Sequence, residues 1–497
     1  MCKNLKQLSF ALLALSAGLF SASAVTVPNV FSANMVLQRD TDVPVWGWGD
    51  DGETVTVTFR DQTVSTKVKD GKWTVKLHSL KTGDPATLTI TGNNTIDFTN
   101  VVVGEVWVAS GQSNMEFSMG RKPLTAADLP SCTNTMIRWL NVRNTRLDEP
   151  TNNVQATWLV SSPQTMPTNS AVAYYFAKDL QKTLGVPIGI MESDWGGTPI
   201  EAWLRREVIA ANPVHKKQVI DAQDAALALY QKEIAAPEKS APPKKGAKKT
   251  DAPKKPWMPG ELYNGMIAPL IPYAIKGVIW YQGENNSSSP TNALRYHSLF
   301  PDLIKSWRAD WHQGDFPFLS VQLAPFATPA PRCDWPSIRE AQLLATKNVP
   351  KVGMAVITDI GEEHDIHPAQ KPPVGARLAL AARSIAYGEK IEYSGPIYSD
   401  MKTKKGRIIV SFTHAQNGFD TTKGDLKGFT VCGEDHKFVP ARAVFDGIER
   451  VAVGSPEVPH PVAARYGWSN WMDVNLWNKE GLPASPFRTD DFPLVTP

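Results

Sequence analysis

The spacing of apolar and polar residues changes character twice along the chain, which divides it into three stretches. From residue 25 to about 100 the period is two. Val55, Val57 and Phe59 alternate with threonines, and Trp73, Val75 and Leu77 alternate with polar residues after Asp70-Gly71. Alternation interrupted by Asp-Gly marks half-buried strands joined by a tight turn, so an N-terminal β-domain, a small sandwich, is expected over 25–100. At residue 101 the pattern becomes continuous: "VVVGEVWVAS" is the apolar run of a strand buried on both faces. "SAVAYYFAKDLQKTLG" then predicts a helix capped by Ser170 and closed by Gly185. Strands are expected at "VPIGIM", "GVIWYQ" (277–282), "FPFLSVQL" (316–323) and "VGMAVITDI", and further helices at "WPSIREAQLLATKN" and "PPVGARLALAARSIAYG". Strands alternating with helices imply an α/β domain with a parallel sheet covered on both faces, here over residues 101–390. Beyond residue 391 the helical period is lost, and alternations such as "GRIIVSFTHA" predict a C-terminal β-rich region over 391–497. There is no internal repeat.

Two segments fall outside these patterns. Lys3 and Lys6 precede the apolar run "LSFALLALSAGLF" and the small-x-small site Ala22-Ser23-Ala24. This is the form of a signal peptide, residues 1–24, too short for a stable membrane span. No other stretch is long and apolar enough to cross a bilayer, so a secreted or periplasmic protein without a membrane span is expected. The segment "APEKSAPPKKGAKKTDAPKKP" (236–256) is too poor in apolar residues to fold, and is expected to be a disordered insertion.

Composition narrows the picture modestly. The chain has 497 residues, 42% hydrophobic and 20% charged, as in an ordinary globular protein. Its formal charge of +3 falls to +1 when Lys3 and Lys6 leave with the leader. Seven lysines lie between Lys239 and Lys255, so the rest of the mature chain carries about −5. The basicity is a local tract, and no nucleic-acid partner is expected. Cys132, Cys333 and Cys432 remain after cleavage, enough for at most one disulfide and spaced like no zinc motif.

Candidate chemistry clusters in four loops. "SGQSNM" follows the first core strand, "ESDWGGTPIEAW" (192–203) follows "VPIGIM", "YQGENN" (281–286) follows "GVIWYQ", and "EEHDIHP" (362–368) follows "VGMAVITDI". Each lies past the carboxyl end of a strand, where open α/β sheets bind ligands. Ser113 to Glu116 has the S-x-x-E spacing of a helix-capping box, a purely structural use. Sharing one sheet edge with three polar loops favours a nucleophile instead. A serine hydroxyl needs an adjacent base, usually a histidine oriented by a third group. His367 supplies the base and Asp365, two residues before it, the acid; Asp359 or a backbone carbonyl is the alternative orienter. For an oxyanion, the Ser113 N–H, the Gly196-Gly197 backbone, and the side-chain amide of Gln282 or Asn285 are candidate donors.

The blocks "GQSNM", "DWGGTPIEAW", "WYQGENN" and "DIHP…K…GARLA" resemble those of the SGNH hydrolase superfamily, and more closely the sialate O-acetylesterases and related carbohydrate acetylesterases. The resemblance runs from about residue 27 to 491, including "NMVLQRD" and "NKEGLPASPFRTDDFP". It implies an SGNH-type three-layer α/β/α fold with flanking β-rich regions. It implies Ser113 as nucleophile, His367 as base, and Ser113, Gly197 and Gln282 as the oxyanion hole. Gln112, Asn114, Trp195, Glu284, Asn285 and Trp468 are then expected to face an acetylated carbohydrate, a sialic acid first, with no cofactor. Two positions depart from the superfamily pattern. The acid usually stands three residues before the histidine, where this chain has His364, and the third block reads Gln-Gly-Glu in place of Gly-x-Asn.

Other uses of these residues carry less. His364 and His367 with Glu362, Glu363 and Asp365 offer donors for zinc, but an acidic run is more often a solvated loop, and no metal is expected. The 16 tryptophans and the segment "RYGWSNW" (465–471) would suit a non-catalytic sugar-binding protein. Acetylated xylan or another glycan is the alternative substrate within the esterase reading.

Overall fold

The computed structural model describes residues 24–235, 253–328 and 334–494. The expected leader, nearly all of the Lys/Pro-rich insertion and Cys333 lie outside them. The organising element is a single strand, Thr95–Gly111, here called β1. Its first half alternates between half-buried and exposed positions and its second half is wholly buried. The change of period at residue 101 is therefore the point where one strand passes from an edge of N-terminal sheet into the centre of the molecule.

With β2 (Ile137–Asn141), β3 (Trp158–Val160), β4 (Ile188–Asp194), β5 (Gly277–Tyr281), β6 (Phe318–Val321) and β7 (Val352–Ala355), this strand forms a central sheet in the order β7-β6-β5-β1-β4-β2-β3. All neighbours pair in parallel except β3, which closes one edge antiparallel to β2. Residues three apart on a strand face opposite ways, so Trp107 and Ser110 of β1 point to opposite faces. Trp107 meets Phe176 of α1 (Ala171–Leu184). Trp280, which pairs with Ser110, meets Trp307 of α2 (Pro290–Trp311) on the other face. Helix α3 (Trp335–Asn348) packs beside α2, and α4 (Pro372–Ile385) beside α1. The expected α/β class and covered parallel sheet are thus observed.

Local signals account for most of these elements. Ser170 Oγ accepts the Ala173 N–H at 3.1 Å, and Gly185 ends α1 in the left-handed region, as the sequence predicts. The expected helix at 335–348 is present over those residues. The structure also contains β2, β3 and α2, for which no expectation stands. Pro301 inside α2 and its scattered polar residues obscure the periodicity, and packing of Trp307 and Phe300 on the sheet overrides them.

The N-terminal region pairs Thr54–Phe59 with Gln62–Lys67 and Ala86–Thr91, and Val43–Trp48 with Lys72–Leu77. The Asp70-Gly71 turn joins strands of two different sheets, bridged only at Lys69 and Lys72. Beyond the α/β region, two four-stranded antiparallel sheets enclose a second apolar core around Val410, Val431, Val453 and Phe487. Arg339 fastens that region to the centre by donating to the Ser469 and Asn470 carbonyls at 2.7 and 3.1 Å.

Gly111 ends β1 with φ near +138°, and a Cβ there would lie 2.1 Å from the Tyr281 carbonyl oxygen. Gly111→Ala should therefore lower the unfolding free energy by about 2–4 kcal/mol, combining backbone strain with overpacking. A urea midpoint equal to that of the wild type would show that the strands can part without cost.

Candidate active site

Each of the four polar loops leaves the same edge of the sheet, and hydrogen bonds tie them into one surface. No helix begins at Ser113. The chain instead turns tightly, with the Met115 and Glu116 N–H groups both donating to the Gln112 carbonyl, at 2.8 and 3.0 Å. Both halves of the apparent capping box are used elsewhere. The Glu116 carboxylate accepts the Gly196 N–H at 2.8 Å, and Ser113 Oγ lies 2.8 Å from Nε2 of His367, 254 residues away in sequence.

His367 is half-buried. Burial, together with the Arg121 guanidinium, lowers its pKa to about 4, so the imidazole is neutral across the physiological range. Its Nδ1 faces two groups: Asp365 Oδ1 at 3.7 Å and Arg121 Nη2 at 3.4 Å. Asp365 is held by more than the ring. Its Oδ1 accepts the His367 backbone N–H at 2.8 Å and its Oδ2 accepts Lys122 Nζ at 2.9 Å, which depresses the carboxyl below its ordinary range. Asp359, the alternative orienter, is engaged by both nitrogens of Arg377 at 2.7 and 2.8 Å. Lys122 also reaches Glu362 at 3.3 Å, so its ammonium occupies the middle of the acidic loop. Among the described residues, no group of three or more His, Cys, Asp or Glu side chains is arranged to hold a metal.

The expected oxyanion donors separate into two kinds. Ser113 N–H and Gly197 N–H have no partner among the described residues, and Gly197 adopts a φ of +73° beside the open loop. Gln282 is different. It is fully buried, and its amide nitrogen already donates to the Thr198 carbonyl at 3.1 Å and to Asn286 at 2.8 Å. The side chain that stays partly exposed is Asn285, which spends one N–H on the Gly197 carbonyl at 2.9 Å. Of the two candidate amides, Asn285 is the one that is partly exposed.

Three of the expected substrate contacts are buried and bonded within the protein. Gln112, Asn114 and Glu284 are buried, and buried polar groups must find partners. Gln112 Oε1 accepts the Gly283 and Asn285 N–H groups at 3.4 and 3.2 Å. Asn114 donates to Glu284 at 2.6 Å and to the Ile366 carbonyl at 2.9 Å, and accepts Lys371 Nζ at 2.6 Å. These residues hold the loops together from behind. Trp468 is half-buried, with the guanidinium groups of Arg465 and Arg488 at 5.4 and 5.6 Å from its ring. The exposed ring of that segment is Trp471. Trp195 is half-buried, edge-on to Trp257 with centroids 5.2 Å apart.

Several known proteins are similar to this chain. Residues 246–384 match the family model "Carbohydrate esterase, sialic acid-specific acetylesterase". The sialate O-acetylesterases of Homo sapiens and Rattus norvegicus are each 30% identical to this chain, over 91% of it and 90% and 92% of their own lengths. The crystal structure of a carbohydrate acetylesterase from Xanthomonas citri superposes with a TM-score of 0.82 at 36% identity, covering 94% of this chain and all of that one. The chain belongs to the sialate O-acetylesterase family. It is a carboxylic ester hydrolase, and among the described residues no helix is long and apolar enough to cross a membrane.

In this family member Arg121, Lys122, Glu116 and Lys371 are charged residues to which the sequence assigned no part in the chemistry. Their signal in the sequence is weak, because "GRKP" reads as a solvated charge run and Lys371 as one lysine before a helix. Lys371 is fully buried between the rings of Phe117 and Tyr281, at 4.6 and 5.3 Å. Burial lowers its pKa to about 7.

That depression has a measurable consequence. The unfolded chain holds the Lys371 proton up to about pH 10.4 and the folded chain releases it near 7, so wild-type stability rises with pH through this window. Lys371→Met lacks the titration. The stability of the wild type relative to Lys371→Met should increase by about 2 kcal/mol between pH 7 and 9. A pH-independent difference in denaturation would place the ammonium in water instead.

Proposed function

We propose that this protein is a secreted serine esterase that removes O-acetyl groups from carbohydrates, with sialic acids as the preferred class. The observation that carries the reading is the 2.8 Å approach of Ser113 Oγ to His367 Nε2 at the confluence of four loops. In the tautomer with its proton on Nδ1, neutral His367 accepts the Ser113 proton as the hydroxyl attacks the acetyl carbonyl. The oxyanion that forms is met by the Ser113 and Gly197 N–H groups, with the free N–H of Asn285 as third donor. Protonated His367 then gives its proton to the departing sugar oxygen. In the second half-reaction it activates a water that hydrolyses the acetyl-Ser113 ester, releasing acetate and free enzyme. No cofactor enters these steps.

Asp365 belongs to this machinery as the orienter of His367. It holds the His367 main chain through the backbone N–H, and a small rotation closes the 3.7 Å gap from its Oδ1 to Nδ1 of the ring. The sialic acid preference rests on the relatives and the family model. The Xanthomonas citri structure is described only as a carbohydrate acetylesterase, so acetylated xylan or another glycan is the second reading. Acetate release from a panel of acetylated sugars decides between them. The leader read at residues 1–24 supports export.

Ser113→Ala should reduce acetate release by about 10⁶-fold, as loss of a triad serine does, while the urea midpoint stays within error because Ser113 caps no helix. Activity above about a hundredth of the wild type would remove the nucleophile assignment. Asp365→Asn should lower kcat at least about 100-fold, toward the ~10⁴ seen when a triad acid is amidated. Asp359→Asn, which breaks only the Arg377 pair, should lower kcat less than about threefold. Equal effects in the two variants would end the case for Asp365.

A further inference from the structure

Arg121 occupies an unusual position. Its guanidinium lies over the Phe117 ring at 5.2 Å and 3.4 Å from His367 Nδ1, and among the described residues no carboxylate pairs with it. The acidic groups nearby are committed elsewhere or buried. Glu362 and Asp365 are taken by Lys122, and Glu116 by the Gly196 N–H. Behind the glycine pair, burial raises the pKa of Glu192 to about 8 and that of Asp194 well above its ordinary value. An exposed cation beside the base is thus left without an anion of its own.

The contact with Nδ1 is chemically constrained. A guanidinium can only donate, so Arg121 can bond Nδ1 only through that atom's lone pair. The ring proton is then on Nε2, which makes His367 a donor toward Ser113 and no base. Nδ1 can serve Arg121 or Asp365, but not both in their productive senses.

We propose that Arg121 binds the carboxylate of an acidic sugar substrate and, by turning to it, frees Nδ1 of His367 to carry the proton that faces Asp365. Rigid, bidentate recognition of carboxylate is what a guanidinium does best. Substrate charge therefore acts twice: it binds the sugar, and it sets the tautomer that lets Nε2 accept the Ser113 proton. Pairing with a carboxylate also offsets the positive field that disfavours the imidazolium, so the base becomes stronger only when an anionic substrate is present. This inference deepens the proposed function and rests on it.

The test uses one sugar in two charge states: an O-acetylated sialic acid and its carboxyl methyl ester, with acetate release followed from pH 3 to 8. The wild type should favour the free acid by about 10- to 100-fold in kcat/KM, the range of a charge-assisted hydrogen bond. Part of the preference should appear in kcat, which a purely binding role would not change. In Arg121→Met the ratio of the two substrates should collapse toward one, and the acid limb for the methyl ester should move to higher pH than in the wild type. Arg121→Lys should recover part of the ratio. If the wild type hydrolyses both forms equally, or if Arg121→Met keeps the wild-type ratio, the inference fails while the proposed esterase stands. Release of acetate from neither form overturns both.

Discussion

The site depends on one buried amide. Asn114 lies directly after the serine, and its side chain bonds three separate segments at once: Glu284 after β5, the Ile366 carbonyl next to His367, and Lys371 at the start of α4. Its two donors and its acceptor are all used, as a buried amide requires. Because the same side chain fixes the loop of the serine and the loop of the histidine, the separation of Ser113 and His367 is set by three short hydrogen bonds in the interior. The Ser113–His367 contact itself contributes little to this registration. A site built from loops gains the precision of a rigid element when a satisfied polar network lies beneath it.

Electrostatics in the cleft follow from where charge is buried and where it is paired. Lys371 is desolvated between two rings, Lys122 is neutralised by Glu362 and Asp365, and Arg121 stands unpaired beside the imidazole. On the opposite side Glu116 is engaged by the Gly196 N–H, and burial raises the pKa of Glu192 and Asp194. The result is one unpaired cation beside a neutral histidine, in a chain whose formal charge outside the lysine tract is −3. Under the proposed mechanism such a cation favours an oxyanion at Ser113 and an anion at Arg121, but it also weakens His367 as a base. That conflict gives meaning to the competition between Arg121 and Asp365 for one ring nitrogen.

The β-rich flanks serve the site through a small number of buried ionic and polar ties. Glu105 of β1 is buried and paired with Arg39, and Gln38 bridges the Glu105 carboxylate and the Val106 N–H. Arg339, fully buried, reaches from α3 into the C-terminal region, and the Asn470 carbonyl there accepts the Phe326 N–H beside the acidic loop, whose Glu363 carbonyl accepts the Ala327 N–H. Since breaking a buried charge pair costs more than forming it contributes, these contacts act as fixed registrations of the flanks against the central sheet.

What the sequence determined by itself was periodic or locally signalled. The change of period at residue 101, the cap and stop of α1, the apolar core strands and the order of the four loops are all properties of short windows, and the structure carries them. Ser113 and His367 were identifiable because their loops share one sheet edge, a consequence of strand direction alone. Tertiary structure decided everything that depends on which polar group is buried. Nothing in "QGENN" tells that Gln282 turns inward while Asn285 stays partly exposed, or that Gln112, Asn114 and Glu284 bond within the protein. Nor does "GRKP" tell that Arg121 meets a ring nitrogen 246 residues away. Side-chain type fixes what a group can donate or accept, but the partner it meets is set by the approach of distant strands. For polar residues, that approach decides whether the same amide lines a site or holds it up.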